Sequence, residues 1–358
     1  MAKKKKFIIE DLLIEKYAAE GKCIAKYNDK ILFIEGAVPG DRATVFVYKN
    51  KKDWGEASVN KITHFSENRV TPFCQHFSVC GGCKWQMLPY ALQLEYKNKQ
   101  VMDQLQRIGN VHIGEYLPIV GCDEQVNYRN KLEFTFSNKQ YIPAHALKED
   151  VSFTKDVLGF HAPKLFDKVI DIETCHLQPE PSNAIKNFIR EFALEHKYSF
   201  YDIRAHQGLM RNVMIRVARS GEVLVNVIFG EKNDLAISNV VHALQEKFPA
   251  ITSLHTTINT KLNDTIYDVD VQHQFGKDHI RESLEDFTFK ISPKSFFQTN
   301  TYQAEKLYQI TRDFAGGTGN ETLYDLYCGT GSIGIFLSKQ VTKIIGVESV
   351  EDAIRDAK

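Results

Sequence analysis

No apolar run among the 358 residues reaches the roughly twenty that a membrane-crossing helix needs. Net charge is lacking too. The 45 Lys and Arg balance 45 Asp and Glu, so bulk charge does not announce a nucleic-acid binder. Internal repeats, low-complexity tracts and a long disordered linker are also missing. Lys3 to Lys6 ahead of Phe7-Ile8-Ile9 outline a secretory leader, but Glu10, Asp11 and Glu15 interrupt the apolar stretch and exclude it. A cytoplasmic protein is expected, with reduced thiols, so the seven cysteines call for a role other than disulfides.

The length suits two or three domains. Residues 1–66 carry thirteen Lys and Arg against nine Asp and Glu, with Lys49, Lys51 and Lys52 grouped. That grouping is either a solvated basic face or a surface that tracks phosphates. Short strands are expected at Cys23–Tyr27, Ile31–Ile34 and Ala43–Tyr48, broken by the turns Asn28-Asp29-Lys30 and Pro39-Gly40-Asp41. Their spacing suggests a small oligonucleotide-binding-type barrel over 1–66. A helix from about Pro89 should bury Leu94, Val101, Leu105 and Ile108 and be capped by Gly109. Tyr128–Ser137 alternates as a half-buried strand, with Arg129, Lys131 and Glu133 on its outer face. Ser182 should cap a helix carrying Ile185, Phe188, Ile189 and Phe192. A hairpin about Ser220-Gly221, a helix over Leu235–Lys247 and a strand at Leu254–Ile258 complete the α/β texture.

Cys74-x5-Cys80-Gly-Gly-Cys83 brings three thiols onto one glycine-containing loop. Thiolates hold both tetrahedral zinc and iron–sulfur clusters, and both remain open on spacing. Cys175 is the first candidate for a fourth ligand, with His76, His161 or His176 as alternatives for zinc. Cys23 and Cys122 are read as structural.

Thr322-Leu-Tyr-Asp-Leu-Tyr-Cys-Gly-Thr-Gly-Ser-Ile-Gly334 describes a strand, a glycine turn and the start of a helix. The turn matches G-x-G-x-x-G, which dinucleotide and S-adenosylmethionine sites share. Asp325, just before the turn, would repel a pyrophosphate but suits a sulfonium or an ammonium group. Glu348, after the next apolar run, is placed to bind ribose hydroxyls. Cys328, inside the turn, is expected to pack rather than to attack.

Together these segments resemble the bacterial RNA uracil-5-methyltransferases, most closely the branch acting on large-subunit ribosomal RNA. Gly36-Ala-Val-Pro-Gly-Asp-Arg42 looks like a turn of that family's TRAM barrel. The Cys74–Cys83 loop with Cys175 looks like its iron–sulfur motif. Tyr128-Arg-Asn-Lys131 is similar to its central strand, and Ser295-Phe-Phe-Gln-Thr-Asn300 to its F-x-Q-x-N motif. The resemblance implies a multidomain α/β protein. It would comprise a TRAM β-barrel (1–66), a central α+β iron–sulfur and RNA-binding domain (67–290), and the start of a Rossmann-like methyltransferase domain (291–358).

It further implies C5-methylation of a uridine through a cysteine–C6 adduct, by a cytoplasmic monomer acting on ribosomal RNA ahead of transfer RNA. Gln298, Asp325, Tyr327, Gly329, Gly331 and Glu348 would then hold S-adenosylmethionine. Cys74, Cys80, Cys83 and Cys175 would hold [4Fe–4S]. Lys51, Lys52, Arg129, Lys131 and Phe296 would meet RNA, Phe296 either by stacking on a base or as a core residue. Tyr327 stands where the family often has Phe, and Ser332 where some members have Asn. The family's S-C-N-P nucleophile motif, its D-P-P-R motif and its Glu base do not occur before Lys358. A chain cut short, inactive alone, is therefore expected, and its rival is a non-catalytic RNA-binding fragment. A radical methylthiolase is disfavoured, since its cluster motif is C-x3-C-x2-C and its TRAM domain is C-terminal.

Overall fold

Alternation of small apolar and outward-facing residues shapes the N-terminal part of the chain. In the computed structural model, which describes residues 6–143 and 155–357, two compact units separate at 121/122. The first contains β1 (Phe7–Leu13), β2 (Lys16–Tyr17), β3 (Cys23–Tyr27), β4 (Lys30–Glu35), β5 (Arg42–Asn50) and β6 (Trp54–His64). Their inward residues, among them Ala25, Leu32, Ile34, Val45, Val47 and Ala57, form one core. The β3–β4 turn has positive φ at both Asn28 (45°) and Asp29 (61°), as tight hairpins require.

Mixed α/β architecture is as expected, but a closed barrel is not formed. The strands hydrogen-bond in the open order β1-β5-β6-β4-β3-β2, and no ladder among the described residues joins β1 to β2. With two residues, β2 is too short to complete a seam.

The Gly36–Arg42 turn is locked by a buried carboxylate. Asp41 is fully buried and accepts from Val38 N (2.7 Å), Ser66 N (2.9 Å) and Arg69 Nε and Nη2 (2.9 and 2.8 Å).

After it comes α1 (Tyr90–Asp103), where the expected apolar stripe is overturned. Val101, Leu105 and Ile108 are exposed, Ile108 at 81%. Leu92 and Tyr96 pack instead, against Met87, Leu88 and Tyr17. Leu94 lies two residues from Leu92, about 200° around the helix, so the two stripes cannot face the same neighbour. Pro89 precedes the helix rather than opening it, and Gly109, at φ −75°, is not a left-handed cap.

The second unit is built on a seven-stranded sheet. Its members are β7 (Lys131–Ser137), β8 (Val157–His161), β9 (Val169–Asp171), β10 (Met210–Val217), β11 (Val223–Phe229), β12 (Ser253–Ile258) and β13 (Val271–Gly276). They run in the order β13-β12-β11-β10-β7-β8-β9. The expected strand at Tyr128 therefore starts three residues later, with Leu132, Phe134 and Phe136 buried as foreseen.

Helix α2 (Ser182–Glu195) packs on β8, β10 and α3 (Asp234–Lys247). Ser182 does not cap α2. It is the first helical residue and donates to Gln178 Oε1, while the Glu180 carboxylate accepts from Ala184 N at 3.1 Å. The hairpin β14 (Ile280–Leu284)–β15 (Phe287–Ile291) leads to α4 (Thr301–Ala315), β16 (Thr322–Leu326), α5 (Ser332–Leu337), β17 (Lys343–Val347) and α6 (Glu351–Ala357). Met214, Leu224 and Ile228 on the sheet pack with Phe289, Phe297, Tyr308 and Phe336 from this C-terminal segment.

Removing the Asp41 carboxylate leaves Arg69 and two amides without their buried partner. Asp41→Ala is expected to cost about 3–5 kcal/mol, seen as a lower urea midpoint with unchanged slope; a shift below about 1 kcal/mol would mean that the pair contributes no more than an exposed one.

Candidate functional site

Strands β16 and β17 pair in parallel with Asp325 opposite Gly346, and α5 connects them. Three left-handed residues turn the chain from β16 towards α5: Tyr327 (φ 63°), Gly329 (57°) and Gly331 (73°). Glycine adopts that region freely, but a bulky residue there is strained. The Tyr327 side chain is 93% exposed among the described residues. Its backbone is fixed, because the amides of Tyr327 and Cys328 both donate to Val347 O (2.8 and 3.1 Å). A Cβ at Gly329 would meet no atom within 4 Å, so the turn is an open backbone cradle.

Both expected acids belong to this turn. Glu348 accepts from Gly329 N (2.9 Å), Ser349 N (2.8 Å) and Val350 N (3.0 Å). The amides of Val350, Gly329 and Ser349 hold its carboxyl below the usual range. Glu348 therefore supports the turn at neutral pH and stops doing so as pH falls through that lowered value. Asp325 also holds the turn together. Its Oδ2 accepts from Gly334 N at 2.8 Å, tying β16 to α5. Burial, with the carboxylates of Asp325 and Glu348, raises the Cys328 thiol, which suits packing and not nucleophilic attack.

Gln298 is exposed and hydrogen-bonds Tyr308. The Tyr308 hydroxyl also meets Ser332 Oγ at 3.0 Å, linking α4 to the start of α5. Tyr308 was not singled out from sequence, where it is one more apolar position on a helix. The loop that presents Gln298 is held by Asn130. Its Nδ2 donates to Gln298 O (2.8 Å) and Thr301 Oγ1 (2.9 Å), and its amide to Thr299 O (2.8 Å). Two motifs about 170 residues apart in sequence are one physical unit.

The remaining candidates are more scattered. Phe296 is 63% exposed while Phe297 enters the core, which decides against a core role for Phe296. Lys51 and Lys52 are exposed in the first unit. Arg129 lies just before β7, bridging to Asn300, and Lys131 pairs with Glu133 at 2.5 Å. Cys74, Cys80 and Cys83 lie in the first unit and Cys175 in the second. Among the described residues, no three His, Cys, Asp or Glu side chains are arranged to hold a metal ion. Cys80 Sγ accepts from Gly82 N at 3.4 Å and lies within the electrostatic reach of Cys83 and Cys74. Cys23 is buried and donates to Ala37 O (3.1 Å), and Cys122 donates to Glu124 O (2.8 Å), in keeping with structural roles.

The tRNA (Uracil-5-)-methyltransferase family profile matches residues 199–358. A Bacteroides thetaiotaomicron protein described as an uncharacterized RNA methyltransferase is 48% identical over 345 residues, covering 95% of this chain and 76% of its own length. A Porphyromonas gingivalis protein with the same description is 47% identical over 347 residues, with 95% and 75% covered. The crystal structure of Pyrococcus abyssi tRNA (uracil-54, C5)-methyltransferase in complex with S-adenosyl-L-homocysteine superposes with a TM-score of 0.70. It is 26% identical, with 97% of this chain and 75% of that one covered.

Tight packing and open space make different demands on the turn's glycines. A Cβ at Gly334 would sit 2.9 Å from Asp325 Oδ2, so Gly334→Ala should cost about 1–3 kcal/mol by displacing that acceptor. Gly329→Ala meets only backbone strain, about 1–2 kcal/mol. Thermal unfolding should rank Gly334→Ala as the more damaging, and the reverse order would contradict the tight Asp325–α5 contact.

Proposed function

Because this chain belongs to the RNA uracil-5-methyltransferase family, we propose that its activity is S-adenosylmethionine-dependent methylation of uridine C5 in RNA, with large-subunit ribosomal RNA ahead of transfer RNA. The observation that carries this is the left-handed glycine turn closed by Glu348. Bound S-adenosylmethionine supplies an electrophilic methyl group on sulfur. The open backbone at Gly329 admits the donor closely, the Tyr327 ring is free to cover it, and Glu348 is placed for the ribose hydroxyls. Gln298, oriented through Tyr308, faces solvent as a further contact. Phe296, Lys51, Lys52, Arg129 and Lys131 are proposed RNA contacts. The three-part division at 66 and 290 and a TRAM identity for the first sheet are proposed with them.

A covalent mechanism needs a cysteine thiolate at uracil C6. None of the seven cysteines is assigned that role, and the raised Cys328 thiol is unsuited to it. The 358-residue polypeptide is therefore expected to bind S-adenosylhomocysteine in calorimetry yet transfer no labelled methyl group to RNA. Glu348→Ala should weaken binding about tenfold, or about 1.4 kcal/mol. Affinity should stay flat across neutral pH, because the Glu348 carboxyl titrates below its usual range. Absence of binding would sink the donor-site assignment, and methyl transfer would show that a nucleophile has been overlooked. RNA binding without donor binding would favour the non-catalytic reading.

For the cysteines we propose a [4Fe–4S] cluster on Cys74, Cys80, Cys83 and Cys175, with zinc as the alternative. The glycine-flanked Cys80, which already accepts an amide hydrogen bond near two further thiols, is the supporting observation. A cytoplasmic monomer is proposed as well; no helix among the described residues is long and apolar enough to cross a membrane. Anaerobically purified protein should carry iron and acid-labile sulfide with visible absorbance. Cys83→Ala should lose both, along with folding yield or RNA affinity. Zinc in place of iron would select the alternative, and metal-free folded protein would remove both.

A further inference from the structure

A cleft of about 510 Å³ opens in the second unit between residues 123–130, the β10–β11 turn and the first turn of α4. Gln298, Tyr327 and Glu348 do not line it, so it is separate from the donor turn. Three features face a ligand of one chemical kind.

Arg129 lines the cleft. Among the described residues its guanidinium makes one hydrogen bond, Nε to Lys131 O at 3.3 Å, and no carboxylate pairs with it. That bond fixes the fork and leaves its terminal nitrogens for an anion. The second feature is the N-terminus of the 15-residue α4, whose Thr301, Tyr302 and Gln303 form one wall, capped by Asn300 Oδ1 on Gln303 N at 3.0 Å. Helix N-termini favour negative charge. Third, the Tyr302 ring is 44% exposed. The Arg219 guanidinium, itself held by Glu305 at 3.0 Å, covers one face of it at 4.3 Å, so the ring is fixed and a base can stack only on its opposite face.

Of the four acids that line the cleft, the exposed Glu124 has no cation partner among the described residues, and the other three are answered within the protein. Asp123 pairs with Lys306 at 2.6 Å, and Glu180 accepts from Asn183 and Ala184. Glu282 is buried and accepts from Arg219 N, Ser283 N and Thr301 Oγ1, and burial raises its pKa. An unpaired guanidinium fork, a helix N-terminus and an exposed aromatic ring together match a phosphate joined to a base.

We infer that this cleft is a nucleotide subsite, holding one phosphate at Arg129 and the α4 N-terminus and one base against Tyr302, for an RNA residue outside the donor turn. The inference rests on RNA being the substrate.

The test uses the whole polypeptide and a fluorescein-labelled, uridine-containing single-stranded RNA of twelve or so nucleotides, read by anisotropy over a salt series. Arg129→Gln should weaken binding about tenfold and reduce the slope of log K against log salt by about one. Tyr302→Ala should weaken it by a similar factor with the slope unchanged, and Tyr302→Phe should retain wild-type affinity. S-adenosylhomocysteine affinity should be the same in all three. Wild-type-like RNA binding by Arg129→Gln and Tyr302→Ala, an unchanged slope in Arg129→Gln, or equal losses in Tyr302→Phe and Tyr302→Ala overturns the subsite and leaves the RNA reading standing. Failure of the unsubstituted protein to bind RNA removes that reading, and the subsite with it.

Discussion

The hydrogen bonds of Asn130 are the constraint on which the second unit's chemistry depends. This residue continues the sheet, since Val217 N donates to its carbonyl at 2.9 Å, and it clamps the 298–301 loop through backbone and side chain. Arg216 adds a second hold, Nη2 to Ser295 O at 2.5 Å from a buried position. A loop so fixed cannot drift relative to β7 and β10. Gln298 on one side of the clamp reaches Tyr308, whose hydroxyl meets Ser332, while Thr301 on the other reaches Glu282. Donor turn and cleft therefore share one anchor. Losing the Asn130 amide would leave buried acceptors unpaired and loosen both.

The donor turn shows how a few residues combine stability with openness. Asp325 and Glu348 bind backbone amides on opposite sides of the glycines, and Gly334 and Gly346 allow the close approach this needs. A Cβ on Gly346 would meet Cys328 Sγ at 3.0 Å. These contacts over-determine the turn, which is how Tyr327 persists at φ 63° with its side chain exposed.

Much of this was legible in the chain. Glycine spacing located the turn because only glycine enters the left-handed region at no cost, and Glu348 followed from strand length. The strand at Leu132–Phe136 followed from period-two burial. Other features had no local signal. Leu94, Val101, Leu105 and Ile108 have helical spacing as good as that of Leu92 and Tyr96, and only Tyr17, Met87 and Leu88 decide which stripe packs. Short strands at barrel-like spacing do not reveal whether the last pair closes, which here fails at the two-residue β2. The tie of Asp325 to α5 had no local signal, because it appears only when Gly334 is brought over the carboxylate. Tyr308 and the cleft depend on contacts across 24 to 171 residues, which no window on the sequence contains.

Charge balance bears on how such a protein could hold RNA. With 45 cations and 45 anions, attraction to a polyanion cannot come from the chain as a whole. Many cations are spent on carboxylates, such as Arg42 on Asp11, Lys49 on Glu56, Arg204 on Asp167 and Arg312 on Glu285. Each pair lowers the number of phosphates that can be neutralised and hence the counterions released. Recognition must then rely on few, well-fixed charges with stacking beside them. Arg129, fixed through Nε and without a carboxylate partner among the described residues, lies in one cleft with the Tyr302 ring, which is the local arrangement that an overall neutral chain would need.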